Sequence, residues 1–137
     1  MGQQQQILII LGVIIVGIAV AIGITIFQDN AVEQNRSSVI ADLSTLAAKA
    51  QIYYFKPVSL GGGGSSFVGL TADATGVGIL ASTSFTNNSN GTYTIKTAGT
   101  ATTVVLHGVG KISLSDGTFP SYDMSVSSLT QTPTKLN

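Results

Sequence analysis

The groups in this chain able to move protons or bind metal are one histidine, His107, and six carboxylates, Asp29, Glu33, Asp42, Asp73, Asp116 and Asp123; there is no cysteine. A catalytic nucleophile needs a base and a third group that orients the base, and a metal site takes three or four ligands. One imidazole among scattered acids meets neither need. The chain is therefore expected to be no enzyme, with no catalytic residue, metal ligand or cofactor. His107, inside Val-Val-Leu-His, reads as a strand residue at a sheet margin. Asp73, Asp116 and Asp123 stand beside glycine or serine and read as turn formers, without the spacing of a calcium loop. The glycines at 61–64 are followed by no Lys-Ser or Lys-Thr and preceded by no strand, so they read as a loop and not as a phosphate cradle. Tyr53, Tyr54 and Phe55 read as packing groups rather than a conduction path.

The charge balance narrows the choice further. Net charge is zero and only 9% of residues are charged, which gives nucleic acid no basic face to bind. Serine and threonine concentrate after residue 58 among many glycines, a bias of extracellular β domains and of surfaces carrying sugar. Asn35, Asn87 and Asn90 each open an Asn-x-Ser/Thr acceptor sequence for glycosylation.

The element that must carry any such head is the apolar run at 7–27, ILIILGVIIVGIAVAIGITIF, which holds no charge and one polar side chain, Thr25. As a helix it is about 31 Å long, against roughly 30 Å of bilayer hydrocarbon. It predicts a membrane-spanning segment. A cleavable secretory signal fits less well, because a basic n-region and a small-x-small exit are missing and the run is too long. A myristoylation start at Met1-Gly2 would want Ser or Thr where Gln6 stands. Gly17 with Ala21, and Ala19 with Gly23, form small-xxx-small pairs that let another helix approach closely, or reflect the tolerance of membrane helices for glycine. Gln3, Gln4, Gln5 and Gln6 form a polar collar at residues 1–6. The collar either bonds between stems or frays in solvent.

Beyond Phe27 the apolar rhythm resumes at helical spacing. Val32, Val39, Leu43, Leu46, Ala50 and Tyr53, widened by Ile40, Ala47 and Tyr54, predict a stripe that packs on the head. Glu33, Asn35, Arg36, Asp42 and Lys49 are expected on the opposite face. Pro57 supplies the stop, so one helix is predicted over about residues 4–55. Its amphipathic part spans 28–56, with a glycine-rich loop at 57–66 and a β-rich head at 67–137. Strands are expected at 78–82, 92–97, 102–107, 110–115 and 122–127. Asn90-Gly91, Ala98-Gly99, Gly108 and Asp116-Gly117 punctuate them. Tyr93 with Ile95, Ile112 with Leu114, and Met124 with Val126 would line the buried face. The expected fold is α+β: a long N-terminal α-helix, half apolar stem and half amphipathic, packed on a small antiparallel sheet.

This layout resembles the type IV pilins and pseudopilins. The likeness lies in the early apolar run, the amphipathic continuation ending in Ala50-Gln51-Ile52-Tyr53-Tyr54-Phe55-Lys56-Pro57, and the glycines and Ser65-Ser66-Phe67 that open a β region. It covers the first 70 residues well and the rest loosely. Position five is Gln5, where the family usually has glutamate, and the head lacks the family's common cysteine pair. The resemblance implies a subunit that waits in the inner membrane and is drawn by an assembly machinery into a helical homopolymer on the cell surface, stems inside and heads outside. Ile7, Ile10, Leu11, Ile14, Gly17, Ala21, Gly23 and Phe27 would then pack between subunits. Two further readings stay open: a monomeric, membrane-anchored module whose head binds glycans, surfaces or a protein, and a minor pseudopilin of a secretion or uptake system.

Overall fold

In the computed structural model, which describes residues 2–137, helix α1 runs unbroken through Gly2–Phe55. At 1.5 Å per residue it is about 80 Å long. The stem is rich in β-branched residues, which favour helix only weakly in water. Away from water a helix satisfies every backbone donor and acceptor within the segment. Gln28, Asp29 and Asn30 do not interrupt it. Every residue from Gly2 to Asn30 is exposed, and the chain begins to cover the helix only beyond that point.

The end of α1 is built by the glycine loop. After Pro57 and a short 3-10 turn at Val58–Leu60, the chain folds back over the helix terminus. The Gly63 N–H donates to the Tyr53 carbonyl at 2.8 Å, and the Ser65 N–H to the Tyr54 carbonyl at 2.7 Å. Two of the carbonyls that a helix end leaves open are thus satisfied by residues ten and eleven positions onward. The approach is too close for a side chain: a Cβ on Gly63 would stand 1.8 Å from the Ser66 carbonyl oxygen.

Helix α2, Ala74–Leu80, follows, with the Asp73 carboxylate accepting from the Thr75 and Gly76 N–H groups at its start. The sheet is an antiparallel meander of β1 (Gly91–Thr97), β2 (Thr103–Gly110), β3 (Ser121–Ser127) and β4 (Gln131–Lys135) in sequence order. Register places Tyr93 opposite Gly108 and Ile95 opposite Leu106, and Gly108 opposite Tyr122 and Leu106 opposite Met124. Alternation then sends Tyr93, Ile95, Val104, Leu106, Tyr122, Met124 and Val126 to one face, where Val39, Leu43, Leu46, Ala47 and Ala50 of α1 cover them. Phe67, Leu70 and Val77 close the core. The expected α+β architecture is what the structure has.

Three expected elements differ. Residues 78–82 belong to the end of α2 and the turn after it, because the Asp73 cap starts a helix that buries Val77. Of 110–115 only Gly110 is in a strand, since Asn35 captures the backbone N–H groups that follow; Ile112 is exposed and Leu114 only half-buried, not paired core residues. Gly108 is no punctuation: it lies within β2, where the Tyr93 ring and Leu43 cover it. Strand β4, exposed along its length and containing Pro133, has no alternation to reveal it. Gly63→Ala is expected to destabilise the head by roughly 1–3 kcal/mol. Gly17→Ala, whose Cβ meets nothing, should leave it unchanged. Near-UV circular dichroism melts of the detergent-solubilised chain would separate the two.

Candidate functional site: the uncovered stem and its joint with the head

All fifteen Ile, Leu, Val and Phe side chains between residues 7 and 27 are exposed, from 50% at Leu11 to 79% at Phe27. Burying one such side chain is worth about 2 kcal/mol, so the set represents on the order of 30 kcal/mol. A whole domain of this size is stable by only about 5–15 kcal/mol. The stem therefore requires a cover, and by length and composition α1 is able to cross a membrane. Its one polar side chain is already satisfied, as the Thr25 hydroxyl donates to the Ala21 carbonyl at 3.0 Å. Added Cβ atoms on Gly12, Gly17 and Gly23 would meet open space. Ile7, Ile10, Leu11, Ile14, Ala21 and Phe27 lie on the same bare rod, and Gln3, Gln4, Gln5 and Gln6 form its exposed first turns.

The joint between stem and head rests on two polar residues expected to face away from the sheet. Asn35 instead is 6% exposed. Its amide nitrogen donates to the Asn90 carbonyl at 2.8 Å, and its oxygen accepts from the Lys111 and Ile112 N–H groups at 3.1 and 3.4 Å. Gly110 allows this, since a Cβ there would stand 2.1 Å from the Asn35 oxygen. Seven residues on, one oxygen of Asp42 accepts from the Tyr93 hydroxyl at 2.7 Å and from the Asn88 and Asn90 amides at 2.9 and 3.0 Å. Burial opposes the charge on Asp42, but the bonds from Asn90, Asn88 and Tyr93 outweigh it and hold the carboxyl below the usual carboxylate range. Burial, with the carboxylate alongside, pushes the Tyr93 phenol far up.

The lower end of the head also shapes a cleft of about 270 Å³ where Leu114 and Ser115 lie over Asp29, Val32, Glu33 and Arg36. Val32 is thus half-buried against this loop rather than on the sheet. At the upper end the Tyr54 ring packs at a tilt against Phe67, 4.9 Å between ring centroids, and the Tyr53 hydroxyl donates to the Val68 carbonyl at 3.1 Å. Tyr53 and Tyr54 pack on the head segment after the glycine loop, and Val39, Leu43, Leu46 and Ala50 meet the sheet.

His107 sits on the inner strand β2, not at a margin, directly opposite Asp123 on the outward face. Its Nδ1 is 2.6 Å from one Asp123 oxygen, and Lys96 pairs with the other. Burial disfavours the Asp123 charge, yet these two partners keep its carboxyl below the ordinary range. Asp73 caps α2, and Asp116 accepts from Thr118 in a turn. Among the described residues no three His, Asp or Glu side chains gather as a metal site. Of the three glycosylation acceptors, Asn87 is exposed. The Asn90 amide nitrogen is held by Asp42, and that of Asn35 is buried and bonded, which closes this position to sugar in the folded head.

A scan against protein-family models and searches of curated proteins and of solved structures returned no match.

The Asp42 cluster has a pH signature. A carboxyl depressed in the folded state contributes stability above its unfolded value of 3.8, and that contribution is lost as pH falls through the lower folded value. Asp42→Asn should cost roughly 1–3 kcal/mol at pH 7. The gap between variant and wild-type melting points should close as the pH is taken below 3.8. A gap that stays constant in acid would show that the charge is not what the cluster holds.

Proposed function

We propose that this protein is a structural subunit that polymerises through its N-terminal helix into an extracellular filament of the type IV pilin kind. The observation that carries the reading is a bare apolar rod of membrane length that continues without a joint into the helix of the head. Before assembly, lipid covers the rod. Once outside the bilayer, the cover available in quantity is other copies of the same rod, and bundling them buries the apolar surface of each. A tether for a lone binding module needs no rigid connection. Here Asn35 and Asp42, 8 and 15 residues beyond Phe27, fasten the helix to the head, so the direction of the stem is imposed on the head. That property serves a lattice of identical subunits. In this reading the glutamine collar lies at the membrane surface before assembly and bonds between stems afterwards, where unpaired amides would be costly.

Detergent withdrawal from the purified full-length chain is expected to yield fibres of uniform width in electron micrographs. Mass spectrometry should find the same chain in fibres sheared from its native cells. Persistent single copies under every lipid-free condition, with no fibre at the cell surface, would refute the reading. A second measurement separates assembly from anchoring. Gly17→Leu with Ala21→Leu keeps the stem apolar and meets no atom of its own chain at Gly17, but blocks close helix approach. The variant should remain in the membrane fraction at wild-type level while fibre yield drops severalfold; equal yields would remove these residues from the interface.

A further inference from the structure

The distribution of charge along α1 specifies how neighbouring copies come into register, given the filament reading above. Four of the six carboxylates are occupied within the chain: Asp42 by the Tyr93 hydroxyl, Asp73 by the start of α2, Asp116 by Thr118, and Asp123 by His107 and Lys96. The two remaining, Asp29 and Glu33, are exposed just above the stem. Among the described residues, Lys96 and Asp123 form the ion pair, with His107 against the other Asp123 oxygen. Arg36 lines the same cleft as the two acids, its Nε buried without an acceptor. The cleft still has two carboxylates to one guanidinium. Near the top of the same helix, Lys49 and Lys56 border a second cleft with Ile52 and Ile79 and have no acidic neighbour there.

Between these charged pairs lies a strip unlike an ordinary water-facing helix surface. Its fully exposed positions, Gln34, Ser37, Ala41, Thr45, Ala48 and Ile52, are uncharged and mostly small. The Thr45 hydroxyl is turned back to the Ala41 carbonyl at 3.0 Å, so the strip offers methyl groups more than donors. From residue 34 to 52 it is about 27 Å long, close to the length of the apolar stem. A stem laid parallel along this strip brings the acids at its own upper end level with the lysines at the top of the strip.

We infer that copies of this chain associate in parallel with an axial stagger of about 30–35 Å, the Asp29 and Glu33 carboxylates of one copy meeting Lys49 and Lys56 of the next. The spacing selects the partners. Asp29 to Lys49 is a shift of 20 residues, about 30 Å, and Glu33 to Lys56 a shift of 23, about 35 Å. The flexible lysine stems absorb the difference. By helical geometry the acid pair and the lysine pair lie on roughly opposite flanks of α1, about 140–160° apart. The contact is therefore head-to-tail between unlike surfaces, a type that propagates rather than closing as a symmetric dimer. The apolar groups agree with the charges: Phe27, Val32, Ile112 and Leu114 line a cleft adjoining that of the acids, while Ile52 and Ile79 project beside the lysines.

The test is a charge swap in the full-length chain, with fibres counted by electron microscopy and sedimentation after detergent withdrawal. Asp29→Lys with Glu33→Lys, and separately Lys49→Glu with Lys56→Glu, should each lower fibre yield about tenfold, because like charges are then brought together. The four substitutions combined should restore yield to within about twofold. Either double variant assembling as well as wild type would overturn the register, as would a combined variant that keeps the wild-type head melt and makes no fibre. Asp29→Cys with Lys49→Cys, in a chain free of other cysteine, should oxidise within fibres to a ladder of multimers; no crosslink, or a dimer band alone, overturns it. Fibres absent from the wild type would sink the filament reading together with this one, whereas wild-type fibres indifferent to the swaps would sink only the register.

Discussion

An apolar helix that its own chain cannot cover governs this molecule. The fifteen large side chains of the stem represent on the order of 30 kcal/mol of burial. The head has few means to compensate: its core is a single layer between one helix face and a four-stranded sheet. No rearrangement of so small a domain would wrap a stem of this length. The head is accordingly folded to be self-sufficient, and the stem is left for lipid or for other proteins. Everything at the upper end, from the glycine loop to the hydrogen bonds of Asn35 and Asp42, acts to make one stiff body of helix and sheet.

Stiffness follows from where the polar contacts fall. The apolar face of α1 alone would hold the helix on the sheet but would allow it to slide, since van der Waals contact is weakly directional. Asn35 bonds to three backbone groups on two different loops, and Asp42 collects three donors from the chain entering and forming β1. Such buried or half-buried bonds are costly to leave unmade, which gives them directional authority out of proportion to their net stability. They set both the height and the rotation of the sheet on the helix. The azimuth of every stem residue relative to the head is thereby fixed.

Much of this was legible in the residues. The apolar run, the stripe ending in Ala50 and the stop at Pro57 are strong periodic signals, and they yielded a helix that differs from the observed one by two residues at its start. Tyr93, Ile95, Met124 and Val126 were readable as core because strand alternation is a local pattern. Asn35 and Asp42 were not, for polarity on a helix is ordinarily a mark of the wet face, and only the loops at 88–90 and 110–112 make these positions dry. Helix α2 was hidden by Gly76 and Gly78 within a seven-residue element; what could have shown it is Asp73, a capping residue read instead as a turn former. Strand β4 carries no buried side chain. Its presence is a matter of pairing alone, which hydropathy does not encode.

That last strand bears on the proposed assembly. A subunit meant to polymerise through one surface must not polymerise through another, and open sheet edges are the commonest wrong route. One edge is formed by β4, a five-residue strand in which Pro133 removes a backbone donor and Lys135 adds a charge. At the opposite edge, β1 is flanked by the bridge between Asn87 and Thr92 and by Phe85 packed on Tyr93 at 5.7 Å between centroids. With both margins blunted, the sheet offers other chains little to extend. The uncovered apolar surface is then concentrated on the helix, and in the proposed filament association would run along α1 rather than through the strands.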